Sequence, residues 1–130
     1  MRSAILLFIT LIMSACAGVD DSKKTITLDS ALWKYERAIR WGEYEVADSF
    51  RKQPSGTARK PAHLKSIKVT GYNIVNKIES ADRTEVQIDV EISYYNEFTM
   101  KEVKITDHQM WEYDPVGKSW YITSPIPVFK

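Results

Sequence analysis

The chain has 130 residues, room for a single domain. Its 18 basic and 17 acidic side chains give a formal net charge of +1, which excludes a general nucleic-acid binder, and 44% hydrophobic with 27% charged residues excludes a disordered or fibrous chain. A single cysteine excludes an internal disulfide framework.

The N-terminal stretch reads as an address. Arg2 is its one charge, and Ala4 to Met13 is largely apolar. A helix of that length rises only about 15 Å against a hydrocarbon core of about 30 Å, so it is too short to span a bilayer and has the length of a signal-peptide hydrophobic region. Met13-Ser14-Ala15-Cys16 resembles the lipobox of bacterial lipoproteins, with Met13 where Leu is usual. The resemblance implies a diacylglycerol thioether on Cys16, cleavage before it and acylation of the new amino group. Residues 1–15 are then a lipoprotein signal peptide, and the acyl chains bind the membrane. Ala15-Cys16-Ala17 also fits the small-x-small cleavage pattern of an ordinary secretory signal, which would make Cys16 incidental. Each buried CH₂ contributes about 0.8 kcal/mol, and two or more acyl chains hold a protein firmly. In lipoprotein sorting an Asp after the lipidated cysteine favours the inner membrane. Ala17 stands there, so the expected location is the outer membrane, in its periplasmic leaflet. Loss of Arg2 with the leader leaves equal numbers of basic and acidic side chains, so the lipid rather than net charge is expected to hold the body there.

Ala17 to Thr25 is small, polar and charged, and residues 16–28 are expected to form a tether. The domain proper is expected at 29–130. Asp29 to Lys52 has helical periodicity: Leu32, Tyr35, Ile39, Val46 and Phe50 fall near one face, flanked by Trp33 and Trp41. Thr27 or Asp29 can cap the start, and Gly42 divides the run into two helices or bends it. Tyr35 to Ala47 resembles one tetratricopeptide hairpin, but no second copy follows and a solenoid needs at least three. Gln53 to Ala62 is expected as a basic loop, either solvated or touching an anionic lipid or glycan.

From Leu64 the period changes to two. Ile67 and Val69 alternate, then Tyr72, Ile74 and Ile78 continue on the other parity, so a bulge is expected at Gly71. Thr84 to Tyr95 is the clearest strand, with Val86, Ile88, Val90, Ile92 and Tyr94 on one face and Glu85, Gln87, Asp89, Glu91 and Ser93 on the other. Phe98 to Tyr113 reads as a long, bulged strand. Asp114 to Lys118 is a turn, and Ser119 to Thr123 closes the sheet before Pro125 and Pro127 stop it.

The expected fold class is α+β: an N-terminal helix pair packed on a four-stranded antiparallel sheet. Trp33, Tyr35, Trp41 and Phe50 are expected to supply much of the buried area. Helices before a meander that ends in Trp111-Glu112-Tyr113, a turn and Ser119-Trp120-Tyr121-Ile122 resemble the cystatin-like group that includes the nuclear-transport-factor-like domains. The separate third helix and the insertions of larger members are missing, which weighs against a deep ligand cavity.

Catalytic motifs are scarce. There is no Gly-x-Ser-x-Gly, no Gly-rich phosphate loop and no His-Glu-x-x-His. His63 and His108 are the two histidines; no metal and no cofactor are expected. Asp107 and His108 are neighbours in a strand, so their side chains point to opposite faces. The acidic row Glu85, Asp89 and Glu91 reads as a solvated face offset by lysines on neighbouring strands. By fold resemblance, a pocket between helices and sheet would draw on Tyr44, Tyr72, Asp107 and His108. The expected function is a membrane-anchored, non-catalytic binding or assembly module with an envelope protein as partner; the alternative is a small enzyme or apolar-ligand carrier.

Overall fold

The computed structural model describes residues 15–54 and 62–130. The signal peptide expected at 1–15 lies almost wholly outside the described residues, as does most of the basic loop at 53–62. The order of elements is helix α1 (Ala15–Arg40), helix α2 (Tyr44–Ser49), a 3₁₀ turn (Ala62–Ser66), then strands β1 (Ile67–Glu79), β2 (Glu85–Asn96), β3 (Glu102–Asp114) and β4 (Ser119–Ile122). The strands form one antiparallel meander in the order β1-β2-β3-β4, with the helices packed on one face. The α+β class is as the sequence implies.

Helix α1 starts well before Asp29. The segment expected as a tether is helical, and Thr27 and Asp29 are interior residues rather than caps. Polar composition misleads here because the polarity is satisfied locally. Ser22, Thr25 and Thr27 turn their hydroxyls back onto carbonyls of the preceding turn, and Lys24 reaches Asp20 at 3.6 Å and Asp21 at 3.8 Å. The sheet also holds this stretch: Trp120 Nε1 donates to the Lys24 carbonyl at 3.1 Å, and the Lys24 ammonium sits 5.7 Å above the Tyr113 ring. From Leu28 onward α1 buries Leu28, Ala31, Tyr35, Ala38 and Ile39. It stops at Gly42, whose φ of 65° is left-handed. Glu43 N–H then donates to Ala38 at 2.8 Å and Gly42 N–H to Ile39 at 3.2 Å, the paired bonds of a Schellman stop.

The sheet follows the alternation of β2. Val86, Ile88, Val90, Ile92 and Tyr94 are all buried, opposite α1. Strand β1 slips register at Gly71, as expected, and again between Ile74 and Asn76. The second bulge carries Ile78 to the solvent face, paired with Gln87, and leaves Lys77 and Glu79 opposite Ile88 and Val86. Ile78 is therefore about half exposed rather than a core residue; Ile74 precedes the slip and stays on the inward parity opposite Val90, but it too is about half exposed. Strand β3 begins later than expected, at Glu102, and pairs with β2 without a bulge; Phe98 and Met100 belong to the turn before it and stand in solvent. The strand β4 assignment holds, with Trp120 and Ile122 buried.

The core is built on a triangle of rings. Tyr35 meets Trp111 edge-on at 5.4 Å and Phe50 at 6.0 Å, and Phe50 meets Trp111 at 6.0 Å. Trp33 and Trp41 contribute little to it, being 59% and 74% exposed. Their place is taken by Trp111, Trp120 and Phe129. The ring of Phe129 lies 5.9 Å from Tyr44 and 5.0 Å from Tyr94, so the C-terminal tail closes one end of the interior after the sheet has ended. Ile122 N–H donates to the Phe50 carbonyl at 2.8 Å, which ties the end of α2 to β4.

Candidate functional site

Two polar groupings on β3 carry chemistry, one on each face of the sheet. The inward parity of β3 runs Val103, Ile105, Asp107, Gln109, Trp111 and Tyr113, so two polar side chains interrupt an otherwise apolar row. Both are buried. Gln109 is the hub. Its Nε2 donates to Tyr72 Oη and to Asp107 Oδ2, each at 2.8 Å, and its Oε1 accepts from Trp111 Nε1 at 3.0 Å. The amide therefore uses both of its N–H groups and its oxygen within the interior.

Burial sets the ionisation of this row. Desolvation pushes the Asp107 carboxyl above the ordinary carboxylate range, the hydrogen bond from Gln109 opposing it in part. Desolvation also raises the Tyr72 hydroxyl, again against the Gln109 bond. Tyr35 faces the same row. Burial, then the charges of Asp107 and Tyr72, raise its hydroxyl strongly, and that hydroxyl has no hydrogen-bond partner among the described residues. A raised carboxyl beside phenols is the raw material of acid–base chemistry. Between the helices and the sheet, among the described residues, the rings of Tyr35, Phe50 and Trp111 pack against one another. A cavity under α1 beside Leu28, Val86 and Trp120 has a volume of about 10 Å³, about enough for one water.

The four residues expected to line a pocket do not converge. Tyr72 and Asp107 are joined through Gln109. Tyr44 opens α2, packs on Phe129, and has a buried hydroxyl with no partner among the described residues, pushed up to about 12 by desolvation. His108 points away from Asp107 to the solvent face, as alternation requires. Cys16 lies in the first turn of α1. His63 falls in the 3₁₀ turn before β1.

On the solvent face His108 gains a partner that chain order conceals. Register places it opposite Asp89, and its Nδ1 donates to Asp89 Oδ1 at 2.7 Å. Asn76 Nδ2 donates to Asp89 Oδ2 at 3.1 Å. The bonds from His108 and then Asn76 hold the Asp89 carboxyl below the ordinary range. Such an arrangement orients an imidazole and leaves its Nε2 toward water. Glu91 is offset by Lys104 at 2.9 Å, as the sequence implies for this acidic row. Among the described residues, no group of three or more His, Cys, Asp or Glu side chains is placed to hold a metal ion.

The remaining conspicuous surfaces are apolar. Residues 73–79 of β1 are exposed on both faces, with Ile74, Val75 and Ile78 among them, and β1 is an edge strand. Trp33 and Trp41 stand out from α1. Among the described residues no helix is long and apolar enough to cross a membrane. Comparison with protein-family models, with curated proteins and with solved structures finds no match to this chain.

Proposed function

We propose that this chain is a lipid-anchored module of the bacterial envelope, acylated at Cys16, seated in the periplasmic leaflet of the outer membrane, and engaging a protein partner through its sheet rather than performing chemistry inside it. The anchor rests on the lipobox Met13-Ser14-Ala15-Cys16. We read the domain as a cystatin-like variant of the nuclear-transport-factor-like kind. Helices followed by a four-stranded antiparallel meander support that reading, as does the final Trp hairpin of Trp111 and Trp120.

One observation carries the binding role. Among the described residues the C-terminal half of β1 has an unpaired outer edge and exposes Ile74, Val75 and Ile78, while the rings of the interior pack against one another. An apolar edge strand left open to solvent is a template for another chain's strand or side chains. The two bulges of β1 twist that edge and guard it against indiscriminate pairing, which suits a selective partner.

Two measurements test the proposal. A mass spectrum of the N-terminal peptide from envelope-purified protein should show acylated Cys16 as its first residue; an unmodified thiol removes the anchor. A photocrosslinking residue at position 78 should trap a discrete envelope protein in cells, and the same probe at the exposed Val116 should not. Equal trapping from both positions, or none from either, removes the binding role.

A second reading has the buried Asp107 in its favour: a small enzyme or apolar-ligand carrier working from the inward row. It requires the ring triangle to open. Slow exchange of the Trp111 indole proton, together with no shift of interior resonances on adding small apolar ligands, would dispose of it.

A further inference from the structure

The outward side of α1 has a composition its buried side does not explain. Ile26, Ser30, Trp33, Arg37 and Arg40 recur at steps of four, three, four and three, which places them on one face, opposite Leu28, Ala31, Tyr35, Ala38 and Ile39, and Trp41 follows directly after the last turn. Ile26 is 69% exposed, and both tryptophans are more exposed than covered. The Arg37 guanidinium lies 5.6 Å from the centre of the Trp33 ring, and Arg40 Nε is 2.7 Å from Glu36 Oε1. Between the two tryptophans is a shallow depression of about 370 Å³, floored by these arginines and Glu36. Lys23 and Lys34 flank the stripe, and Asp29 lies at its margin.

We propose that this stripe lies flat on an anionic lipid surface. Exposed tryptophan beside arginine suits a membrane–water interface: the indole rings enter the headgroup level and the Arg37 guanidinium meets lipid phosphate, while Arg40 is held by Glu36 and the Tyr72 carbonyl. Charge complementarity favours this occupant over an apolar protein groove. Glu36 is neutralised by Arg40, and Arg37, Lys23 and Lys34 leave the face cationic. The geometry rests on the lipid-anchored reading above, because Cys16 belongs to the same helix. From Cys16 to Trp41 the helix runs about 38 Å, so an anchor at one end and tryptophans at the other meet one membrane only if α1 lies along it. The helix then shields one side of the domain, and the sheet's outer face, with Ile78 and the Asp89–His108 pair, is directed away from the lipid.

The test uses the chain from residue 16 with Cys16→Ser, which keeps every described residue but Ala15 and carries no acyl chain. It is mixed with vesicles of phosphatidylglycerol and phosphatidylcholine in equal parts, and separately with pure phosphatidylcholine vesicles. The expected result is co-sedimentation with the anionic vesicles with a blue shift of tryptophan emission, at least tenfold weaker binding to the neutral vesicles, and release at high salt. Trp33→Ala with Trp41→Ala, and separately Arg37→Glu, should each weaken anionic binding at least tenfold. All these side chains are exposed, and an unchanged near-ultraviolet spectrum from the buried Trp111 and Trp120 confirms the fold. No binding by the parent chain overturns the proposal. So does binding that the variants leave intact, or a tryptophan-dependent dimer that ignores vesicles. Acylation is read separately by mass: a lipidated native chain whose Cys16→Ser form ignores vesicles sinks the stripe alone, and vesicle binding by a chain whose native thiol is unmodified sinks the anchor alone.

Discussion

Gln109→Leu is the sharpest probe of what holds the interior together. The two side chains have similar volume, so the change removes hydrogen bonds while leaving little void. Three buried groups lose their partner: the Trp111 indole N–H, the Asp107 carboxyl and the Tyr72 hydroxyl oxygen. Orphaning a buried polar group costs about 1–3 kcal/mol, so the three together cost about 3–9 kcal/mol. That is a large part of the roughly 5–15 kcal/mol that keeps a domain folded. Urea unfolding, followed by tryptophan fluorescence, should show the midpoint falling by about 1 M or more, taking a slope of about 1–3 kcal/mol per molar. Gln87→Leu is the control. Gln87 lies on the solvent face of β2, and its replacement should stay within about 0.5 kcal/mol of the parent. Adding Asp107→Leu to Gln109→Leu should recover part of the loss, because it removes one of the orphans. A Gln109→Leu protein within about 1 kcal/mol of the parent would refute the reasoning, since no set of three costs could then reside in this row.

Three further outcomes follow from the same interior. Burial raises the Asp107 carboxyl, so the folded chain keeps a proton that the unfolded chain gives up; its contribution is complete below the ordinary carboxylate range and is lost as pH rises through the raised value. Asp107→Asn should therefore gain on the parent as pH rises through that window, and parallel unfolding curves for the two proteins across pH would contradict this. Tyr35→Phe removes a buried hydroxyl that has no partner, and should match the parent or exceed it by up to about 1 kcal/mol, whereas Tyr72→Phe removes an acceptor of Gln109 and should cost about 1 kcal/mol. Calorimetry that ranked the two phenylalanine variants in the opposite order would show the Tyr35 hydroxyl to be satisfied. Gly42→Ala should cost about 1–2 kcal/mol, because a side chain must adopt the left-handed conformation that stops α1; an unchanged melting temperature would mean the helix end relaxes freely.

How far the sequence foretold this depends on whether a signal was local. The five alternating apolar residues of β2 needed no partner to be read, and each is buried as that pattern requires. Gly42 and Gly71 also spoke for themselves, as a stop and as a bulge. The second bulge of β1 did not, because Val75 carries no turn chemistry; a one-residue slip then moved Ile78 to the wet face. The early start of α1 was hidden because the bond that fixes it joins Lys24 to Trp120, 96 residues away. The Asp89–His108 pair is hidden in the same way: only the register of β2 against β3 brings the two residues together. The inward parity of Gln109 was legible from Trp111 two residues on, and a glutamine on a core parity is the one sequence signal that would have exposed the buried row.

The continuity of α1 changes what an acyl group at Cys16 would do. A flexible nine-residue tether reaches about 30 Å and lets a domain turn freely above its membrane. A helical stem from Cys16 to Lys24 covers only about 12 Å, and its far end is already fastened to the sheet through Trp120 and Tyr113. Lipid attached to such a stem sets the tilt and rotation of the whole body as well as its distance. Ile78, on the solvent face of β1, is separated by the sheet from the residues that stand out from α1. On the lipid-anchored reading, a fold that packs its interior with its own rings keeps two outer surfaces for recognition, and the rigid helix decides which of them the membrane covers.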